Sequence, residues 1–273
     1  MTRDHVAPSV LARDKSLLTV DPADGRTLAS VPLGDHGTLT FPLGHTVCVA
    51  LTASTACVDT STGRIARRYS RSIETAGLGS LWAFTPDGLN LVRIDPRRGV
   101  VTGTVRVETS MDWAPLVATC NGAVWVSSGT ERAVSRIDPS SMRVTARIRW
   151  FGHVDSLLVG ACGYGKVWIQ QNANGAGVLY RVDPATARIT GYTALGRAAE
   201  SAGYGGSDIA VADGSIWTAD SSPTVSRVDP STLKVQKVYN LKSAAAEWVA
   251  VGFGSIWTSS DNSGTGTTER LSE

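Results

Sequence analysis

The sequence predicts an all-β chain built as a β-propeller of four-stranded antiparallel blades. Three observations carry that expectation. One short phrase recurs along nearly the whole chain, and each copy divides into short β-branched runs bounded by Gly, Asp and Pro. Amphipathic helical periodicity is sustained nowhere, one turn near Leu195 to Glu200 or Ser243 to Glu247 excepted.

The phrase has two halves. Gly-Ser-Leu-Trp ends at Trp82, Gly-Ala-Val-Trp at Trp125, Gly-Lys-Val-Trp at Trp168, and Gly-Ser-Ile-Trp at Trp217 and Trp257. An Arg follows each Trp 10 to 13 residues later, and in the first four copies it opens Arg-Ile/Val-Asp-Pro, as in Arg93-Ile94-Asp95-Pro96 and Arg227-Val228-Asp229-Pro230. Weaker copies sit at both ends, at Val20-Asp21-Pro22, Val58-Asp59-Thr60 and Glu269-Arg270-Leu271-Ser272. The Asp slot at 21, 59, 95, 138, 183, 229 and 272 gives seven copies spaced 36 to 46 residues apart. Seven blades are therefore favoured, with six the alternative, in one domain over residues 1–273 or a piece of a longer chain.

One copy shows the order of elements. Ile209-Ala210-Val211 reads as the first strand, Asp213-Gly214 as a turn, and Ser215 to Thr218 as the second strand. Thr224 to Val228 reads as the third, and an Asp-Pro turn leads to the fourth at Lys234 to Tyr239. That turn has a mechanism: Asp accepts backbone N–H bonds, Pro presets the next φ, and Gly63 or Gly99 supplies a positive φ. A blade is covered on both faces by its neighbours, so Ile216 and Trp217 can be apolar in succession. The five Trp are expected as wedges between blades, each with the recurring Arg across the hairpin, stacked on its ring.

Composition narrows the function classes. The 273 residues are 42% hydrophobic and 18% charged, which argues against disorder. The 26 basic and 24 acidic residues leave no long-range field for nucleic acid, and no membrane span is expected because no window holds 18 consecutive apolar residues. The start, Met-Thr-Arg-Asp-His-Val-Ala-Pro-Ser-Val, lacks the apolar stretch of a targeting segment and points to the cytoplasm. The cysteines qualify that. Cys48 occupies the Trp slot of the second copy and Cys57 its Arg slot, so a cross-strand disulfide and two reduced core thiols are both open. A bridge would place the chain outside the cytoplasm. Cys120 and Cys162, near the ends of adjacent inner strands, are the less favoured second pair.

Propellers bind at the channel mouth, where first strands begin. The least repetitive segments lie there, and they supply Asp112, Trp113, Trp150, His153, Asp155, Tyr204, Asp208, Glu247 and Trp248, with Glu74 and Phe151. Acids and aromatics together suit a small molecule, a peptide or a protein, and a weak Mg²⁺ or Ca²⁺ site is the one cofactor they would allow. The bland alternative is that these acids are solvated or cap turns. No Gly-x-Ser-x-Gly, no His-Glu-x-x-His and no phosphate loop before a helix is present.

The repeated Gly-x-Val/Ile-Trp followed by Ser-Arg-Ile/Val-Asp-Pro resembles the streptogramin (virginiamycin B) lyase-like and YVTN/NHL-like bacterial β-propellers over nearly the whole chain. Membership would imply a seven-bladed propeller, and in the lyase itself the opening of a cyclic depsipeptide by elimination with Mg²⁺, His and Glu at the mouth. The lyase pattern has Pro-His before an inner strand, where this chain has Gly152-His153-Val154. The sequence thus favours a non-catalytic binding or sensor module, alone or fused to another domain. A divalent-cation-assisted lyase or lactone hydrolase acting at His153 and Asp155 is the alternative.

Overall fold

A computed structural model of the chain describes residues 10–272 except 14, 22–25, 108–116, 129–132, 150–157, 174–175, 198–207, 220–221, 243–245, 247, 253–254 and 261–266. Every regular element among the described residues is a strand, and the strands form antiparallel sheets in chain order. Five sheets have four strands, and the first and last have three. This is the repeated blade architecture of a β-propeller. No helix among the described residues is long and apolar enough to cross a membrane. The segment expected to hold a helical turn is instead strand up to Arg197, within Arg188–Arg197.

The chain divides into two compact units, Met1–Arg106 and Val107–Glu273. The first holds sheets one to three, over residues 10–32, 37–69 and 75–106. The second holds sheets four to seven, over residues 117–149, 158–197, 208–240 and 248–272.

Sheet six shows why the repeat folds as it does. Its strands are Asp208–Ala212, Ser215–Ala219, Thr224–Val228 and Val235–Asn240. Asp213 and Gly214 turn the first hairpin with φ of 48° and 72°. The second strand is buried throughout, and Trp217 in it clusters with Val249 and Ile256 of sheet seven. Trp168 of sheet five meets Ile209 and Ile216 of sheet six in the same way, and Trp125 of sheet four meets Val167 and Ile169 of sheet five. Trp125, Trp168 and Trp217 are thus wedges between successive sheets, and like Trp82 they are fully buried. A small or short residue faces each across the first hairpin: Thr75, Ala118, Ala161, Ala210 and Ala250. Three indole N–H groups donate to the carbonyl that ends the preceding strand: Trp82 to Gly77, Trp168 to Gly163 and Trp217 to Ala212. Gly163 has a second constraint, because a Cβ there would collide with Val211 on the next sheet's inner strand.

The Asp-Pro turns follow the expected mechanism. Asp95 Oδ1 accepts the Arg97 and Arg98 N–H at 2.7 and 2.9 Å, and Gly99 takes φ of 72°. The recurring Arg divides its work. Arg227 and Arg270 lie over the rings of Trp217 and Trp257 at 5.2 and 5.6 Å, as expected. Arg136 and Arg181 reach across to the following sheet, donating to the carbonyls of Pro184 and Pro230. Guanidinium N–H groups thereby satisfy turn carbonyls one blade away.

Both cysteine pairs are bonded. Cys48 and Cys57 face each other in sheet two with Cα atoms 3.9 Å apart. Cys120 and Cys162 join the first strands of sheets four and five, Cα atoms 5.9 Å apart. The less favoured pairing therefore forms, because inner strands of neighbouring sheets approach closely enough for a bridge.

Candidate functional site

In the second unit the inner strands Val117–Cys120, Leu158–Gly163, Asp208–Ala212 and Trp248–Gly252 lie side by side in sequence. Three contacts show that they run in the same direction, one of them Gly163, at the end of its strand, against Val211, near the end of the next. The disulfide ties strand ends together, and a hydrogen bond from Val249 N–H to Asp208 Oδ2, at 3.1 Å, ties strand starts together. All four therefore begin at one end of this unit, and that end carries the candidate site.

Asp208 is the first residue of its strand and the best-defined member of the site. Its other oxygen, Oδ1, accepts the N–H of Ile209 at 2.8 Å. Burial pushes its carboxyl up to about 6, and the two backbone N–H donors pull the other way. The side chain thus fixes sheet seven to sheet six. Gln170 makes the corresponding link between sheets five and six: it is fully buried and its Nε2 donates to the Ala219 carbonyl at 2.8 Å. Ala219 faces Asp208 in the register, so both links lie at one level. Beside them Gln171 accepts the Tyr180 hydroxyl at 3.2 Å.

Trp248, one residue before the clamped Val249, is 39% exposed at the start of the last inner strand. A large aromatic is thereby presented to solvent next to a fixed backbone. Asp208 and Trp248 are the two expected site residues that the structure brings together. Asp112, Trp113, Trp150, His153, Asp155, Tyr204 and Glu247 lie outside the described residues, as does Phe151. Among the described residues no three His, Cys, Asp or Glu side chains gather to hold a metal ion.

Glu74 belongs to the first unit, where it precedes the inner strand Thr75–Gly77 and its N–H donates to the Trp82 carbonyl. Burial pushes its carboxyl up to about 7. Gln170 and Gln171 were missed by motif reasoning. Their signal was present: two consecutive amides inside an otherwise apolar run, Val167-Trp168-Ile169, mark a polar requirement in a covered strand.

A family model described as a repeat of unknown function, DUF6923, matches residues 160–269, which span sheets five to seven. No curated protein sequence matches the chain. Among solved structures the chain is similar to BamB from Moraxella catarrhalis, with a TM-score of 0.61 and 14% identity, over 98% of this chain and 82% of that one. At that identity the likeness concerns the fold, and it agrees with the β-propeller built above.

Proposed function

We propose that this chain is a non-catalytic binding or sensor module that recognises a peptide-like or small-molecule ligand at the propeller mouth, where the inner strands of the second unit begin. One observation carries the reading: Trp248 is exposed beside a backbone that Asp208 clamps, on a base of inter-sheet links made by buried polar groups. A rigid floor with an open aromatic favours recognition, because little freedom is left to lose on binding. Asp112, Trp113, Trp150, His153, Asp155, Tyr204 and Glu247 belong to the segments at or around the same strand starts and would supply its walls.

Kinship with the streptogramin lyase-like and YVTN/NHL-like propellers is the finer form of this reading. It rests on the wedge and turn residues, which are packing residues and say little of activity. Two disulfides fit an oxidising, extracytoplasmic compartment better than the cytoplasm.

The test is selection of a displayed heptapeptide library on the immobilised chain. Enriched peptides should lose at least about tenfold in affinity with Trp248→Ala, the scale of an aromatic hot spot. The same peptides should bind Tyr192→Ala, which removes an aromatic 70% exposed on an outer strand, as they bind the parent. Binding indifferent to Trp248 overturns the site. Opening of a lactone or cyclic depsipeptide in Mg²⁺, abolished by His153→Ala, would replace the module with the cation-assisted enzyme.

A further inference from the structure

The first unit holds a second feature, unrelated to the inner strands. The outer strand of sheet two, Arg64–Tyr69, reads Arg-Ile-Ala-Arg-Arg-Tyr and continues Ser70-Arg71, placing four arginines in eight residues of a chain that is otherwise close to neutral. Across from it runs the Asp-Pro turn of sheet three with Arg97 and Arg98. Between them lies a cavity of about 170 Å³ lined by Arg67, Arg68, Arg71 and Arg98, with Tyr69 and Ser70.

The cluster carries more positive charge than the nearby carboxylate, Asp95, offsets. Arg68, next to Arg67 on the strand, points to the opposite face, where its Nη2 donates to the Leu33 carbonyl at 2.9 Å. Arg67 lies 4.9 Å over the Tyr69 ring, a contact that uses its face and leaves its N–H edge open. Tyr69 is itself fixed, its hydroxyl donating to the Pro96 carbonyl at 2.7 Å. Arg71 is half-buried, and neither it nor Arg98 makes a side-chain hydrogen bond or an ion pair among the described residues. The nearby carboxylate is Asp95, and its Oδ1 is taken by the backbone N–H groups of its own turn. Gly99 closes the rim without a side chain.

We infer that this cleft is a binding site for a phosphate group, held by the guanidinium edges of Arg67, Arg71 and Arg98. The chemistry selects the ligand. Guanidinium forks match tetrahedral oxyanions through paired N–H donors, and a multiply charged group offsets several cations that a single carboxylate would leave repelling one another. The phosphate could be free or carried on a small molecule, and the two share this recognition.

Calorimetry at about 20 mM salt, where exposed charges are little screened, tests the assignment with inorganic phosphate and pyrophosphate as probes. Both should bind, pyrophosphate the more tightly, and a phosphate monoester such as glycerol phosphate should bind within about threefold of phosphate if carried groups are accepted. The double variant Arg71→Gln, Arg98→Gln should weaken each at least about tenfold, having lost two charge-assisted contacts. Arg188→Gln, which removes an exposed arginine from the second unit, should leave binding unchanged. Because neither Arg71 nor Arg98 makes a side-chain hydrogen bond or ion pair among the described residues, thermal melting should be the same for all three proteins. Equal binding of acetate, binding indifferent to the double variant, or absence of phosphate binding at about 20 mM ligand overturns the site, as does binding of poly-glutamate alone.

Discussion

In sheet six Trp217 faces Ala210 on the inner strand and Arg227 on the third strand; in sheet two Cys48 stands in the place of Trp217, Phe41 in that of Ala210 and Cys57 in that of Arg227. The surroundings are otherwise alike. Arg67 lies over Tyr69 in sheet two as Lys237 lies over Tyr239 in sheet six, at matching register positions. The exchange is therefore concerted: where the large wedge is lost from the second strand, a large ring is gained on the strand facing it. Phe41 and both cysteines lie in one cluster with Leu81 and Ile94 of sheet three and Ile73 of the connection leading to it, the space that a Trp fills between other sheets. The inter-sheet volume is conserved while its owner changes, as close-packed interiors require.

The largest expected effects come from breaking each solution at its ring. Trp217→Ala should cost about 4 kcal/mol and Phe41→Ala about 3 kcal/mol, the range for emptying a buried aromatic site. Denaturant unfolding measures both. If Phe41→Ala is nearly silent, the concerted exchange is wrong and Phe41 is surface filler. Below these comes the bridge. Cys48 and Cys57 are nine residues apart, so replacing both by Ser removes a short loop constraint worth about 2.5 kcal/mol. The double Ser variant should unfold at correspondingly lower denaturant, and the parent under reductant, which opens Cys120–Cys162 as well, should unfold lower still.

How far the sequence exposed these features follows from where the partners lie. Wedges and Asp turns repeat, so five Trp and a row of Asp slots mark the blades in the sequence itself. Cys48 and Cys57 could be paired because both fall in slots whose mutual position the repeat had already defined. Phe41 could not, since its slot holds Thr75 or Ala in other sheets and carries no motif. The reach of Arg136 and Arg181 was equally hidden, because a hairpin pattern describes neighbours within a sheet and the Pro184 and Pro230 carbonyls belong to the next. Asp208 was picked out as a site residue, yet its partner is a backbone N–H 41 residues away, and backbone donors leave no trace in a sequence.

Asp208 also sharpens the comparison at the strand starts, where sheet two has Leu39 at the matching position. Its carboxyl is pushed up from 3.8 to about 6 on folding, so the folded state binds this proton more tightly than the unfolded one. The resulting stabilisation is present below about pH 4 and is lost as pH rises through about 6. Asp208→Asn removes that slope. Between pH 4 and pH 7.5 the stability of the variant relative to the parent should rise by about 2 kcal/mol, read from melting temperatures across the range. A constant difference would mean that Asp208 stays ionised in both states and that its two N–H donors outweigh burial.

The smallest effect separates two tyrosines that the repeat makes equivalent. Tyr69 donates its hydroxyl to the Pro96 carbonyl, whereas the Tyr239 ring tilts against Trp217 at 5.6 Å and its buried hydroxyl has no hydrogen-bond partner among the described residues. Removing a made bond leaves the Pro96 carbonyl without that donor; removing an unmade one relieves a desolvated group. Tyr69→Phe should therefore lose about 1 kcal/mol, and Tyr239→Phe should be neutral or slightly stabilising. Chemical denaturation of the two variants side by side resolves a difference of that size. The opposite order would mean that Trp217, more than the disulfide, directs its neighbouring hydroxyl to a partner, and the two sheets would then differ in their hydrogen bonding in the reverse sense from their packing.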